Sequence, residues 1–390
     1  MKGPKVPGKT WKQKFGSPVY LISFLVIIVL LFLGAAFYKV EEKRVKNAIF
    51  NQLSTIARLQ ADEIKAWLDK SRADAEETAG SKFFATAVLH FLQQPTDKYR
   101  EEVEELLKLT AQVYGYSRLM ILDREKRPLL AVGEEAPAGA PASFSTELKE
   151  ALAQTEKSGE VSMTDLHFPR PGSRPHLDIV AAIYAPQKAG KQEKERTWPE
   201  AYLVLTAEAQ KSLFPLIESW PIASTTGETL LVKKEGDEIV FLSELKDKEN
   251  AALIYRRPLD QQKLAAVRTA LDRPGPLESL DYRGQKVMAF LSPVPGTSWY
   301  IVSKIDRQEA LSIWQTRAVL IILLLLAVAV AGLLLTRLFR QRREKASLTK
   351  LYQAETEARE SQELFRVLTE SSLTGVYLIQ DGVFKYVNQT

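Results

Sequence analysis

Between Asp165 and Asp178 the chain gathers two acids (Asp165, Asp178), two histidines (His167, His176) and two arginines (Arg170, Arg174) within fourteen residues. Guanidinium groups bind carboxylates bidentately, so this mixture points to recognition of a carboxylate or an amino acid. Strand alternation over Gly159–Phe168 predicts Asp165 and His167 on one face, and over His176–Ala185 it predicts His176, Asp178 and Tyr184 on one face. Arg170 and Arg174 fall in the rigid loop PRPGSRP between the two strands. Tyr116, next to Tyr114 ahead of an earlier strand, joins the candidates, with packing as its competing role. A polar hairpin tip is also commonly just solvated. A metal site from His167 and His176 lacks a compact ligand spacing, so no metal is expected. The chain has no cysteine and three histidines, the third being His90, which excludes thiolate metal sites, cysteine nucleophiles and disulfides. No G-x-S-x-G, H-E-x-x-H or Walker loop occurs, so neither a catalytic residue nor a cofactor is expected.

The elements that must position these residues are legible from periodicity. From Glu41 apolar residues recur near every 3.6 positions (Val45, Ile49, Leu53, Ile56, Ile64, Trp67), predicting one long stalk helix with no proline before Pro95. A second helix, Lys98–Tyr114, follows. Period two then predicts strands Leu119–Asp123 and Pro128–Val132, a helix Ser145–Lys157, the two strands above, a strand Glu200–Thr206 and a helix Glu208–Glu218. The order repeats in shortened form: strands Glu228–Lys234 and Glu238–Leu242, a helix Leu259–Leu271, and strands Gly275–Asp281, Gln285–Pro293 and Trp299–Asp306. Asp306 and Glu309 have the spacing of an N-cap and its N3 partner. Two similar α+β modules on one stalk are therefore expected. The second is poor in convergent polar groups and is expected to relay rather than bind, with Asp281, Tyr282 and Arg283 forming a turn.

Two uncharged runs frame these modules. Val19–Tyr38 follows lysines at 2, 5, 9, 12 and 14, and Ala318–Thr336 precedes Arg337, Arg340, Arg342, Arg343 and Lys345. Each run is long enough to cross a bilayer core of about 30 Å. A cleaved signal peptide competes for the first, but its exit, AAFYKVEEKRV, is a poor cleavage site. Lysine and arginine at the outer flanks predict both termini cytoplasmic and residues 39–317 outside the membrane. The net charge of +5 is concentrated in these flanks and reads as topology, not as a nucleic-acid footprint.

The stretch DYRGQKVMAFLSPVPGTSWYIVSKIDRQEA (Asp281–Ala310) resembles the end of a membrane-proximal Cache module, and GEVSMTDLHF with HLDIVAAIYAP resembles the paired strands of a membrane-distal one. Stalk, two PAS-like sheets and flanking crossings over about residues 40–310 resemble the double Cache sensor of bacterial receptors. The resemblance implies that the distal module holds a small-molecule ligand. The arginine–tryptophan–aromatic pattern of amino-acid-binding members is not found. After the second crossing, Arg337–Phe365 has neither glycine nor proline and predicts a continued helix, with a weak heptad seam at Leu348, Leu351, Glu355, Ala358, Gln362 and Phe365. A parallel dimer and a solvated single helix both fit that seam, and a two-helix HAMP relay has no room. The ending ELFRVLTESSLTGVYLIQDGVFKYVNQT, with a hairpin around Asp381-Gly382, resembles the opening of a PAS domain, of which fewer than thirty residues are present, so the chain is expected to stop inside it.

The expected organisation is a cytoplasmic basic N-terminus (1–18), transmembrane helix 1 (19–38), stalk (39–97), distal module (98–222), proximal module (223–310), transmembrane helix 2 (318–336), signalling helix (337–363) and the start of PAS (364–390). The expected function is a homodimeric bacterial inner-membrane receptor that relays an extracytoplasmic small molecule to an output domain. In relatives with this layout that output is most often a histidine kinase of a two-component system, otherwise a diguanylate cyclase or phosphodiesterase. A membrane-anchored solute-binding protein without signalling is the rival.

Overall fold

The computed structural model describes residues 18–133, 144–170, 172–186, 198–258, 274–371 and 373–388, with side chains from residue 24. The expected helix 259–271, the basic residues 2–14 and the loops 134–141 and 187–196 lie wholly or almost wholly outside the described residues. The chain divides into two units, residues 43–313 and residues 1–42 with 314–390.

Within residues 43–313, the stalk is the continuation of α1 (Pro18–Gly80). It buries Leu53, Ala57, Ala61, Ile64, Leu68, Ala75 and Ala79 in one core, an apolar stripe at helical spacing that drives its packing. The expected unbroken stalk to residue 97 stops earlier. Gly80 ends the helix, and Ser81 caps a new one, α2 (Lys82–Gln93), by accepting from the Phe84 amide. Ser81 offers a hydroxyl acceptor where backbone N–H groups would otherwise be unpaired, which is why a break occurs here without proline. Then follow α3 (Asp97–Tyr114), closed by Gly115 in the left-handed region at φ 77°, β1 (Arg118–Asp123), β2 (Pro128–Gly133), α4 (Thr146–Ser158), β3 (Ser162–Met163), β4 (His176–Ile183), β5 (Ala201–Glu208), and the short helices α5 (Ala209–Ser212) and α6 (Phe214–Glu218). The single helix expected over 208–218 is thus two, parted at Leu213 just ahead of Pro215.

The distal sheet has the order β2-β1-β5-β4-β3, antiparallel throughout. The second sheet is built from β6 (Glu228–Glu235), β7 (Glu238–Phe241), β8 (Arg256–Pro258), β9 (Pro276–Leu280), β10 (Lys286–Pro293) and β11 (Trp299–Asp306), in the order β8-β7-β6-β11-β10-β9. Without β8, which was not expected, the two orders are the same, and the duplication is one of topology. β4 and β5 are buried along almost their whole length because both faces are covered. Ile179, Ala181, Leu203 and Leu205 share the core that the stalk enters. Met120, Val180, Tyr202 and Val204 pack under Leu148, Ala151 and Leu152 of α4.

β11 leads directly into α7 (Arg307–Glu370). The expected capping pair does not form. Glu309 instead accepts from the amides of Thr225 and Thr226 and from the Ser224 and Thr225 hydroxyls at 2.8–3.0 Å, and from the Thr226 hydroxyl, while the Asp306 amide donates to Thr226 Oγ1 at 3.1 Å. The first turn of α7 is thereby tied to the linker between the modules.

In the other unit, α1 and α7 each carry a stretch long and apolar enough to cross a membrane. Gly34 lies where a Cβ would be 3.3 Å from Leu325, and the Tyr38 and Trp314 rings are 5.6 Å apart. α7 runs unbroken to Glu370 and is followed by the hairpin β12 (Tyr377–Gln380) and β13 (Val383–Val387). Asp381 and Gly382 both have positive φ, 54° and 74°, as a type I′ turn requires.

Candidate functional site

The site begins at an irregularity in β3–β4 pairing. Ser162 faces Val180 and Thr164 bonds Asp178, but the next pair is His167 with His176. Asp165 and Leu166 together oppose Leu177 alone, which is a β-bulge. The extra residue breaks the alternation on which the sequence expectation rested. Asp165 and His167 therefore do not share a surroundings. The Asp165 carboxylate accepts from Trp299 Nε1 and Lys233 Nζ, both at 2.7 Å, on the proximal sheet. His167 turns to the other side and meets His176 edge-on, ring centres 4.6 Å apart.

Between those rings lies Asp178, only 1% exposed. Its Oδ2 is 3.6 Å from His167 Nε2 and 3.5 Å from His176 Nε2. Neither contact has hydrogen-bond geometry, and both Nε2 atoms are buried without a hydrogen-bond partner among the described residues. Thr206 Oγ1 donates to Asp178 Oδ1 at 2.6 Å, and the Asp178 amide donates to Thr164 Oγ1 at 2.9 Å. Burial alone would raise the Asp178 pKa, but His176, Thr206 and the His167 charge hold it below the ordinary carboxylate value. The ligand atoms of His167, His176 and Asp178 all lie within 4.8 Å of one another. That compactness was not expected from their spacing. It arises because a hairpin returns residues 167 and 176 to adjacent positions.

His176 also walls a pocket of about 460 Å³ whose lining includes Ser117, Arg118, Arg174, Thr206 and Glu208. Register puts Arg118 opposite Thr206, Thr206 opposite Asp178 and Glu208 opposite His176. All of them project from the sheet face that α4 covers further along. Arg118 Nε is buried without a hydrogen-bond partner among the described residues. Glu208 is buried and paired with Arg174 at 2.7 Å and Lys211 at 2.9 Å. Burial pushes its pKa up, and these two cations more than offset that, holding it below the usual range. The pocket is thus lined by an arginine, one of whose guanidinium nitrogens is buried and unpartnered among the described residues, beside neutralised acids, a setting for an anionic or zwitterionic group.

Of the residues expected from sequence, His167, His176 and Asp178 come together, and Arg174 borders the same pocket. Arg170 is exposed on a turn closed by Ser173. Tyr116 is buried against the stalk, its hydroxyl donating to Asp74 at 3.0 Å. Tyr184 lies beyond the end of β4, outside the pocket lining. Arg118, Thr206 and Glu208 were missed. Alternation puts each in register with buried apolar neighbours, but which strands lie side by side is not written in any one strand. In the proximal module the 281–283 turn forms as expected, with Asp281 accepting from the Arg283 amide at 2.9 Å. Its polar groups do converge, around Lys304, which is 1% exposed and bonded to Glu228 and Asp281.

No protein-family model matches the chain, and no curated protein matches it. Among solved structures it is similar to the ligand-binding domain of the Pseudomonas fluorescens chemoreceptor CtaA in complex with L-isoleucine (16% identity, 70% of this chain, 98% of that one, TM-score 0.43). It is also similar to the ligand-binding domain of the Pseudomonas aeruginosa amino acid chemoreceptor PctB with L-Arg (15%, 68% and 97%, 0.44) and to the sensory domain of a Campylobacter jejuni chemoreceptor (11%, 69% and 97%, 0.48). At these identities no residue role passes to this chain.

Proposed function

We propose that the chain is the sensing part of a bacterial inner-membrane receptor whose distal module binds an extracytoplasmic carboxylate or amino acid. The observation that carries this reading is the buried, unpartnered Arg118 Nε in a charged pocket, on a module joined by continuous structure to a helix fit to cross a membrane. The relay runs through Asp165. Its carbonyl accepts from His167 Nδ1 at 3.0 Å, while its carboxylate holds Trp299, the first residue of β11, and β11 ends where α7 begins. A ligand that prefers one arrangement of the His167 hairpin shifts the equilibrium of everything attached to it, in proportion to its differential affinity.

Both termini are cytoplasmic in this reading, the molecule acts as a homodimer in the membrane, and α7 delivers the shift to a PAS domain and an output. A histidine kinase of a two-component system is the preferred output, with a diguanylate cyclase or phosphodiesterase as the alternative. An anchored solute-binding protein is disfavoured by the long charged helix after the second crossing, which a mere anchor does not need. Thermal-shift screening of the detergent-solubilised chain against organic acids and amino acids is the test. A member of these classes raises the melting temperature of wild type and leaves Arg118→Ala unmoved. A rise seen only with uncharged solutes, or retained in full by Arg118→Ala, sinks the reading.

A further inference from the structure

We propose that His167, His176 and Asp178 form a binding site for one divalent first-row transition metal ion of the zinc type. The first ground is a buried trio whose nitrogens have no hydrogen-bond partner among the described residues. His167 Nδ1 lies 3.0 Å from the Asp165 carbonyl, an acceptor only, so Nδ1 carries a hydrogen and Nε2 is the atom turned toward the trio. That nitrogen faces Asp178 Oδ2 at 3.6 Å, and His176 Nε2 faces the same oxygen at 3.5 Å. Something positive belongs among the three atoms.

Distance distinguishes a metal from a proton. A proton shared by imidazolium and carboxylate draws N and O to about 2.7–2.9 Å. Ligands held at about 2.0–2.1 Å around a tetrahedral ion lie roughly 3.3 Å from one another. The observed 3.5 and 3.6 Å are within a few tenths of the second figure and well outside the first, and the trio's ligand atoms, all within 4.8 Å of one another, draw together on the ion. The three groups are 5%, 6% and 1% exposed, so the contact is not a loose surface pair.

The outer partners match what metal ligands require. The Asp165 carbonyl orients the His167 ring, and Thr206 occupies Asp178 Oδ1, leaving Oδ2 for the ion. Two imidazoles and one carboxylate select zinc, cobalt, nickel or ferrous ions over magnesium and calcium, which take oxygen ligands. Because His176 also walls the pocket, the remaining coordination position is reached from there and is filled by water or by a carboxylate entering the pocket. The site itself does not depend on an organic ligand.

The untagged chain, purified in detergent and stripped with a chelator, is titrated with cobalt(II) and then zinc(II) in equilibrium dialysis. The expected result is one ion per chain, with cobalt d–d absorption that zinc abolishes and magnesium does not. His167→Gln and His176→Gln each weaken binding by about 100-fold or more, beyond what loss of an outer partner costs, while His90→Gln changes nothing. X-ray absorption of the zinc-loaded wild type, which needs no variant to fold, shows two imidazole ligands at about 2.0–2.1 Å. No saturable binding, binding that survives in both histidine variants, or a spectrum with fewer than two imidazoles overturns the proposal. Such a failure would leave the organic-ligand reading standing, since that is tested through Arg118.

Discussion

Asp165 is one residue with two jobs. Its main chain orients His167 in the distal module, and its side chain anchors Lys233 and Trp299 in the proximal one. Asp165→Ala leaves the indole N–H without its acceptor and Lys233 with Glu235 alone, a loss of about 1–3 kcal/mol for groups that are only partly solvated. The backbone carbonyl remains, so the pocket keeps its shape. The expected outcome is unchanged ligand affinity with a much reduced response of α7, read by cysteine cross-linking between copies of residues 318–336 with and without ligand. Equal losses in affinity and response would remove Asp165 from the relay.

At the scale of elements, the junction between β11 and α7 is held by Glu309, whose carboxylate accepts from the 224–226 linker through amides and hydroxyls. Its burial pushes the pKa up, but these donors outweigh that and bring it down to about 2 from an ordinary 4.5. A carboxyl depressed on folding stabilises the folded state fully above its unfolded value, and that contribution fades as pH falls from about 4.5 toward 2. Between pH 6 and pH 3, wild type is therefore expected to lose more thermal stability than Glu309→Gln, so that the gap between them narrows. A pH-independent gap would mean that the linker is not held by the charge. The same junction shows where local pattern misled. Asp306 and Glu309 have capping-box spacing, yet the linker hydroxyls, distant in sequence, win the carboxylate.

Across the whole molecule, the two sheets repeat one topology, but their polar clusters differ in kind. In the proximal sheet Lys304 is paired with both Glu228 and Asp281, with the Tyr282 ring 4.5 Å away. In the distal sheet two imidazole nitrogens and an arginine nitrogen lack partners among the described residues. A closed ion network stabilises, whereas unsatisfied donors and acceptors in a cleft are what a ligand or ion completes. This contrast supports the proposed division, with sensing in the distal module and transmission in the proximal one. For the membrane layout, a periplasm-active reporter fused near residue 190 is expected to be active and one after residue 343 inactive. The reverse pattern would invert the whole scheme.

Sequence alone determined two apolar runs long enough to cross a membrane, the apolar stripe of the stalk and most of the strands, because these follow from hydrophobic period and charge placement within short windows. It also marked Asp165, His167, Arg170, Arg174, His176 and Asp178 as a polar hairpin, but not that His167, His176 and Asp178 alone would converge. Tertiary structure alone decided that Arg118, Thr206 and Glu208 stand beside them, because β5 pairs on one side with β4, the strand before it, and on the other with β1, far earlier in the chain. It alone decided, too, that one extra residue at Asp165–Leu166 sends neighbouring acid and imidazole to opposite sides. Register is a property of two strands at once, and no single stretch of chain records it.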